Sequence, residues 1–580
     1  MDPRNTSQQR LTLNKQIALG LIVFLVYLPC LFNDFVGDDH LLVADNSFYQ
    51  SWSNFPRLFQ SGYNVDPATY LIGRDPDKGT GSVAYRPVLS TSYFIDRGLW
   101  QGHPLGYHLQ NLLWHLANVF IVYLILIEIY PPAAFGAALV FGLHPVQTEA
   151  VCAIGYRADL LATFFCLSSF LFWLKYHLRA ASRWNLLLSA ACYFLAVFSK
   201  EPAVLLPLIF LTFAHLCPER IKIRLSWTQA ALWVGLAAFY LWVYLCVFPN
   251  PTIASQSQFL GDNIGIHILT ILRIWRMNLQ FFLLPWTATL IPALYYPAVQ
   301  MNISLAIVAD LIVAGGCLIF ILMAVRRSKI IGFFAFWYVI FYLPVSNIFP
   351  NPNPMAMRYL YLPSIGLSVI IITGWKLVVH LLNRWKGGGR WFPGLNVLVV
   401  ALLAGCTFLL TFFWKNDFIV ASTWIRHYPD HHKGYAVMGG ILFRAGLYSE
   451  SRDYYLLSQQ RHVLAPDDEF KLALCDYHLD DLDNAREIAQ TLVTDYPDFT
   501  LVKILLGDIA MKQKQATQAL SWFKQAWQEA PGDLQIVDRL INCLARLGRF
   551  DEAAGILEKS KTLFSAEKIL HLKRHLTNNP

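Results

Sequence analysis

The sequence has few charged residues. Asp, Glu, Lys and Arg make up only 14% of its 580 residues, whereas 56% are hydrophobic, which excludes an ordinary soluble enzyme and is typical of a polytopic membrane protein. The ten cysteines show neither the pattern of a disulfide framework nor the spacing of a metal site. The formal net charge of +8 comes from short loops between apolar runs, so it does not indicate a nucleic-acid partner.

The charge is unevenly distributed along the chain. Residues 416–580 contain 19 basic and 22 acidic residues, a net charge of −3, so residues 1–415 contain the remaining 27 basic and 16 acidic ones, a net charge of +11. We therefore predict an all-α protein with two domains, a membrane domain over 1–415 and a water-soluble domain over 416–580.

Eleven apolar runs, some of them short, are predicted to be membrane helices, the first an uncleaved anchor. A twelfth stretch, 264–290, contains Arg273 and Arg276 and is read as interfacial or re-entrant. The Lys/Arg-rich loops then share a side with the N-terminus, which the positive-inside rule assigns to the cytoplasm. The soluble domain is expected on the opposite side, in a bacterial periplasm (the favoured case) or the endoplasmic reticulum lumen. The runs lie at 16–32, 105–128, 133–147, 158–178, 185–198, 202–217, 228–248, 303–325, 330–348, 359–382 and 394–415.

Prolines recur at near-regular intervals in the soluble domain. Pro429, Pro466, Pro497 and Pro531 are separated by 37, 31 and 34 residues, close to the period of the tetratricopeptide repeat. Each is expected to separate one helix pair from the next. This spacing predicts about four helix pairs followed by a capping helix at 564–576.

Polar motifs gather in the loops that this topology assigns to the outer side. Asp38 and Asp39 follow the first apolar run, where ionised groups at a membrane surface mark a functional site. Neighbouring side chains of an extended segment point in opposite directions, so the two acids are expected to have different roles. The other motifs on this side are His40, Tyr85 with Arg86, His108 with Asn111, His144 with Glu149, Arg157 with Asp159, Lys200 with Glu201, and Arg358 with Tyr361.

These motifs predict a mixed-charge cavity at one membrane surface. Its cations suit a phosphate headgroup, because Arg can bind two phosphate oxygens and Lys acts as a point charge. The membrane helices show no obvious internal duplication and few charges near their centres, Asp310 being an exception, which argues against a transporter.

Taken together and in this order, the motifs resemble those of the transmembrane and tetratricopeptide repeat (TMTC) proteins, which belong to the GT-C superfamily of lipid-donor glycosyltransferases. The resemblance implies a GT-C-type membrane domain and a protein O-mannosyltransferase-like enzyme. Such an enzyme moves one sugar from a polyprenyl-phosphate donor to a Ser or Thr hydroxyl of an exported protein. It needs no dedicated cofactor, and no metal is expected.

The resemblance also implies roles for particular residues. Asp38 or Asp39 is expected to be the general base, with Asp38 favoured by its position in the motif. The donor phosphate and lipid are expected to contact Arg86, Arg157, Lys200, Arg358 and Tyr361. The donor or acceptor pocket, and the residues that support it, are expected to include His40, Tyr85, His108, Asn111, His144, Glu149, Asp159 and Glu201.

Two alternatives remain open. The same chemistry would be possible on a lipid or polysaccharide acceptor, in which case exported proteins would not carry the sugar. The repeats would also suit a membrane-anchored scaffold without enzymatic activity, because such arrays bind peptides, partners or only themselves.

Overall fold

A computed structural model describes residues 3–60, 84–178, 182–217, 226–249, 263–290, 305–350, 353–383, 392–560 and 569. Within these ranges the regular structure is entirely helical, as predicted. The chain divides into two compact units, of which the first extends to Ile419 and the second begins at Val420. The predicted capping helix at 564–576 lies outside the described residues, apart from Ile569.

The first unit contains the apolar helices. They are α1 (Pro3–Tyr27), α2 (Pro87–Trp100), α3 (Pro104–Ile129), α4 (Ala134–Leu143), α5 (Thr148–Cys152), α6 (Arg157–Leu178), α7 (Arg183–Val197), α8 (Leu206–Leu216), α9 (Trp227–Trp242), α10 (Ile264–Leu283), α11 (Trp286–Leu290), α12 (Leu305–Arg327), α13 (Lys329–Tyr342), α14 (Ser364–Asn383) and α15 (Phe392–Phe413). The next helix, α16 (Asp417–His427), continues into the second unit.

Every one of the eleven apolar runs is helical in the structure. Among the described residues, seven helical segments are long and apolar enough to cross a membrane, and four shorter apolar helices account for the other runs. The shorter ones are Pro131–Leu143, Arg183–Val197, Glu201–Leu216 and Lys329–Val345. The chain therefore has the helices of a membrane protein, while the number and direction of its crossings stay predictions.

The stretch 264–290, which the sequence predicts to be interfacial or re-entrant, contains α10. This helix is not among the seven candidate spans. Its Arg273 and Arg276 both bind the carboxylate of Asp310 on α12, Arg273 through Nε at 2.8 Å. The Asp310 side chain is completely buried. An acid inside an apolar helix is thereby paired with two guanidinium groups, which offsets the cost of burying its charge.

Aromatic side chains pack α6 against α8 and α13. Trp173 stacks on Phe210 with ring centroids 4.7 Å apart, and Phe170 contacts Phe213, Phe333 and Trp337. These rings bury large apolar areas and keep the three helices together. This packing places the loops at the ends of α6 and α8, which carry several of the motif residues, in a fixed arrangement.

Among its described residues, the second unit contains four consecutive helix pairs. Three of the four prolines directly follow a helix, whereas Pro466 occupies the first position of one, where its missing N–H costs no hydrogen bond. The helices are α17 (His432–Arg444), α18 (Tyr448–Gln459), α19 (Pro466–His478), α20 (Leu482–Asp495), α21 (Thr500–Lys512), α22 (Ala516–Glu529), α23 (Leu534–Arg546) and α24 (Phe550–Ser560).

Gly507 on α21 allows the third helix pair to pack closely. A Cβ atom at this position would lie 2.3 Å from the ring of Phe523 on α22. We predict that Gly507→Ala destabilises the repeat unit by about 1–3 kcal/mol, because overpacking displaces a buried ring. The measurement is hydrogen exchange of peptides from α21 and α22 in the full chain. Gly555→Ala is the matched control, since nothing lies within 4 Å of a Cβ at Gly555. Equal exchange in the two variants would contradict this packing.

Candidate active site at the ends of the membrane helices

The loop that carries Asp38 and Asp39 is anchored to the end of the last apolar helix. The Asp34 backbone N–H donates to the carbonyl of Lys415 at 2.8 Å, and the Asn33 side-chain amide donates to the carbonyl of Thr411 at 3.1 Å. The loop therefore has a fixed base on α15 and on the residues that follow it.

Asp39 points into the protein. Its side chain accepts the backbone N–H of Gly155 at 2.6 Å and that of Val36 at 3.1 Å, and the residue is 1% exposed. Burial raises the pKa of Asp39 to about 6, although these two hydrogen bonds oppose the shift. Asp39 ties its own loop to the turn before α6.

Asp38 is exposed and faces a different partner. The hydroxyl of Tyr156 donates to its carboxylate at 3.4 Å. The ring of Tyr156 also carries the guanidinium of Arg358, 3.9 Å above its centroid. The two neighbouring acids thus differ in surroundings, as the sequence predicted, and Tyr156 connects the exposed one to a cation.

Arg358 is held in place by Glu149. The Glu149 carboxylate accepts the Arg358 backbone N–H at 2.8 Å and also forms an ion pair with its guanidinium. The Glu149 side chain is fully buried while that of Arg358 is 10% exposed. Burial raises the pKa of Glu149, and the charge of Arg358 opposes that shift. Two of the predicted site residues therefore form one buried pair.

Two further ion pairs lie near this one. Lys200 binds both carboxylate oxygens of Asp159, at 2.6 and 2.7 Å, and Arg86 binds Glu201 through two nitrogens, at 2.9 and 2.8 Å. Burial lowers the pKa of Lys200, and the charges of Arg86 and Arg358 lower it further against the effect of Asp159. This coupling shows that the three cations share one electrostatic environment.

A cavity lies beside the Lys200–Asp159 pair. Polar groups line one part of it, and the ring of Tyr359 lies between Arg358 and Lys200, 5.1 and 5.8 Å from their charged groups. The rest of the wall is apolar and consists mainly of Ala162, Ala203, Phe341, Val345, Leu362 and Pro363. A ligand with a charged head and an apolar tail matches this division.

Arg157 is bound on all sides by the protein. Its guanidinium donates to the Asn111 side chain at 2.6 Å, to Ser92 at 3.2 Å and to the carbonyl of Tyr107 at 3.1 Å, and it forms an ion pair with Asp96. The side chain is 0% exposed, unlike those of Arg86, Lys200 and Arg358. The partners of Arg157 lie on α2 and α3, so its side chain joins both helices to α6.

Other predicted residues lie deeper among the helices. The hydroxyl of Tyr361 is 2.7 Å from Nδ1 of His115 and accepts from Asn118 at 3.2 Å. His108 lies below the loop, with Nε2 3.3 Å from the carbonyl of Asp34. These contacts join α3 to the loop above it and to the segment before α14.

The last three predicted residues border the site. The ring of His144 stacks on Phe282 at 4.1 Å, and its Nε2 is 2.9 Å from the Phe282 carbonyl. Tyr85 stacks on Phe248 at 3.9 Å. His40 contacts Asp417, at 3.1 Å.

Three residues of this arrangement were missed by the sequence analysis. Tyr156 immediately precedes Arg157 and therefore lies just outside the charged motif that begins there. Asp96 and Asp417 are far in sequence from Arg157 and His40, so no local spacing indicated these pairs.

The chain is similar to known proteins along much of its length. Protein O-mannosyl-transferase F38B6.6 of Caenorhabditis elegans is 24% identical over 471 residues, which cover 78% of this chain and 63% of the worm protein. Protein O-mannosyl-transferase Tmtc3 of Drosophila melanogaster is 22% identical over 517 residues, 75% of this chain and 54% of the fly protein. Human protein O-mannosyl-transferase TMTC3 is 29% identical over 160 residues, 27% of this chain and 16% of the human protein.

The tetratricopeptide repeat family matches residues 469–498 and 510–561, within the helix pairs described above. The chain therefore fits the TMTC pattern. Its first unit has the apolar helices and its second unit the repeats of that group. The match spans less than two thirds of the length of each of the three relatives.

The raised pKa of Asp39 predicts a pH-dependent stability. The unfolded chain has the ordinary pKa near 4, so the folded state holds this proton more tightly, and its stability contribution is lost as pH rises from about 4 through about 6. We expect the free energy of unfolding of the wild type to fall relative to that of Asp39→Asn by about 2–3 kcal/mol across this window. Thermal unfolding of the detergent-solubilised chain measures it, with Asp34→Asn as the control. A difference that stays constant with pH would refute the assignment.

Proposed function

We propose that the chain is an integral-membrane glycosyltransferase that moves one sugar from a polyprenyl-phosphate donor to a Ser or Thr hydroxyl of a protein, in the manner of a protein O-mannosyltransferase. The observation that carries this proposal is the exposed Asp38, which Tyr156 connects to Arg358, while Arg358 and Lys200 both lie over the ring of Tyr359. The names of the relatives support the same class of reaction.

The phosphate and the polyprenyl chain of the donor would bind in different parts of the cavity. Its phosphate carries negative charge that Arg358 and Lys200 can bind, while the apolar wall around Phe341 and Val345 accepts the polyprenyl chain. Arg86 lies close enough to influence the pKa of Lys200 and adds positive charge there. Arg157, whose guanidinium is already bound by four protein groups, is assigned a supporting role.

The reaction would proceed by a direct displacement at the anomeric carbon. The Asp38 carboxylate accepts the proton of the Ser or Thr hydroxyl as its oxygen bonds to that carbon, because a neutral hydroxyl is a weak nucleophile. The bond from the carbon to the phosphate oxygen breaks, and the lipid phosphate leaves with the bonding electrons. Arg358 and Lys200 stabilise the charge that develops on this oxygen. The proposal includes no resident cofactor and no metal.

The acceptor would be a polypeptide, which the tetratricopeptide repeats suit because such arrays present extended surfaces for peptides. The reaction would take place on the side opposite the basic loops, in the periplasm or the endoplasmic reticulum lumen. Mass analysis of exported proteins and glycolipids from a deletion strain tests the acceptor class. A change confined to the lipids would overturn the protein acceptor.

Asp38→Asn tests the chemistry. We predict a loss of kcat of about a hundredfold to ten-thousandfold, the usual contribution of a general base, with the fold unchanged because the side chain is exposed. The measurement is transfer of sugar from polyprenyl-phosphate mannose to a peptide by the purified chain.

Asp34→Asn is the matched control in the same loop, since Asp34 bonds its neighbours through backbone atoms. We expect it to retain the wild-type kcat. Full transfer activity in a folded Asp38→Asn variant would remove the base from the proposal. Absence of transfer by the wild type with every acceptor, together with normal assembly of partners, would favour the scaffold.

A further inference from the structure

One carboxylate contacts the catalytic loop on both sides of its acidic pair. Asp417, the first residue of α16, accepts the backbone N–H of Gly37 at 2.7 Å with one oxygen. Its other oxygen lies 3.1 Å from Nε2 of His40. The side chain is only 12% exposed. Asp417 therefore holds the residue before Asp38 and the residue after Asp39.

The hydrogen bond from Gly37 to Asp417 lies at a turn of the backbone. The φ of Gly37 is +58°, in the left-handed region that glycine adopts without strain. The turn is closed by the Asp39 backbone N–H, which donates to the carbonyl of Val36 at 3.1 Å. The hydrogen bond from Gly37 to Asp417 fixes the orientation of this turn, and with it the direction in which Asp38 leaves the backbone.

His40 lies between two carboxylates. Its Nε2 faces Asp417, and its Nδ1 lies 3.8 Å from Asp45, whose side chain is 71% exposed. Because both ring nitrogens have an acid nearby, the ring plane is oriented from two directions. The contact with Asp417 links the start of the short helical turn His40–Ala44 to α16.

The base of the loop is anchored independently of Asp417. The contacts of Asp34 with Lys415 and of Asn33 with Thr411 end on carbonyl oxygens of the backbone. Loss of the Asp417 side chain therefore leaves these contacts intact. The two side-chain contacts that it removes both lie in the segment 37–40, which contains the acidic pair.

We propose that Asp417 is a positioning residue for the transfer reaction, which acts through Gly37 and His40 to hold the Asp38 carboxylate next to Tyr156 and Arg358. This inference rests on the proposed function, since it gives Asp38 the role of base. Asp417 itself touches no reacting atom. Asp417 is the first residue of α16, the helix that continues into the repeat unit, so the residue that positions the base belongs to this helix.

The variants Asp417→Ala and Asp417→Asn test this role in the full-length protein. With Ala, we expect kcat to fall by about tenfold to a hundredfold, because a base displaced by about 1 Å loses its geometry. The KM for polyprenyl-phosphate mannose should change by less than about twofold, because the donor contacts remain. With Asn, whose oxygen still accepts the Gly37 N–H, kcat should recover to within about threefold of the wild type.

Hydrogen exchange of the peptide 33–40 measures the same contact without any assay of activity. Exchange should become faster in Asp417→Ala and stay close to the wild type in Asp417→Asn. Asn416→Ala is the matched control, because Asn416 accepts the Ile419 N–H at 3.0 Å at the same helix start. It should change neither kcat nor the exchange of 33–40.

Wild-type exchange and wild-type kcat in Asp417→Ala would overturn the proposal, as would a loss expressed only in KM. A wild-type protein without transferase activity would refute the proposed function and, with it, the catalytic purpose of the contact. The exchange data would still decide in that case whether Asp417 holds the loop.

Discussion

The pair formed by Glu149 and Arg358 is the contact on which the charged site depends. Glu149 accepts both the backbone N–H and the guanidinium of Arg358, and its side chain is fully buried. A single buried charge without its partner would be strongly destabilising, so each residue requires the other. Because Arg358 lies over Tyr156, whose hydroxyl donates to Asp38, the surroundings of the exposed acid depend on this buried pair.

The exposed fraction of each cationic side chain determines which role it can have. Arg157 is surrounded by hydrogen-bond acceptors and an acid, and it joins three helices below the surface. Lys200 and Arg86 are also paired, but their side chains remain 12% and 24% exposed. Arg358, whose side chain is 10% exposed, belongs with this second group, which a phosphate could approach, whereas Arg157 is 0% exposed. The same arrangement meets the membrane constraint, since every one of these charges is paired before a ligand arrives.

Much of this architecture could be predicted from the sequence. Apolar runs locate the helices of the first unit, and the proline interval locates the four helix pairs of the second, because both patterns are local. The different environments of Asp38 and Asp39 were also predicted, but the extended segment assumed for that prediction is a turn, in which Asp39 has φ −61° and ψ −33°. Which of the two is buried was not predictable, since Asp39 is fixed by Gly155, a residue 116 positions away. The predicted role of Arg157 as a phosphate ligand took no account of its ion pair with Asp96, because Asp96 lies on another helix.

The central claim is that a lipid phosphate binds between Arg358 and Lys200, with its sugar next to Asp38. The most direct measurement is a cryo-EM map of the chain saturated with a non-transferable polyprenyl-phosphate sugar. We expect phosphate density within about 4 Å of a nitrogen of Arg358 or Lys200, the distance of an ion pair. Phosphate bound elsewhere, for example at Arg273 and Arg276, with an empty cavity beside Lys200 would contradict it.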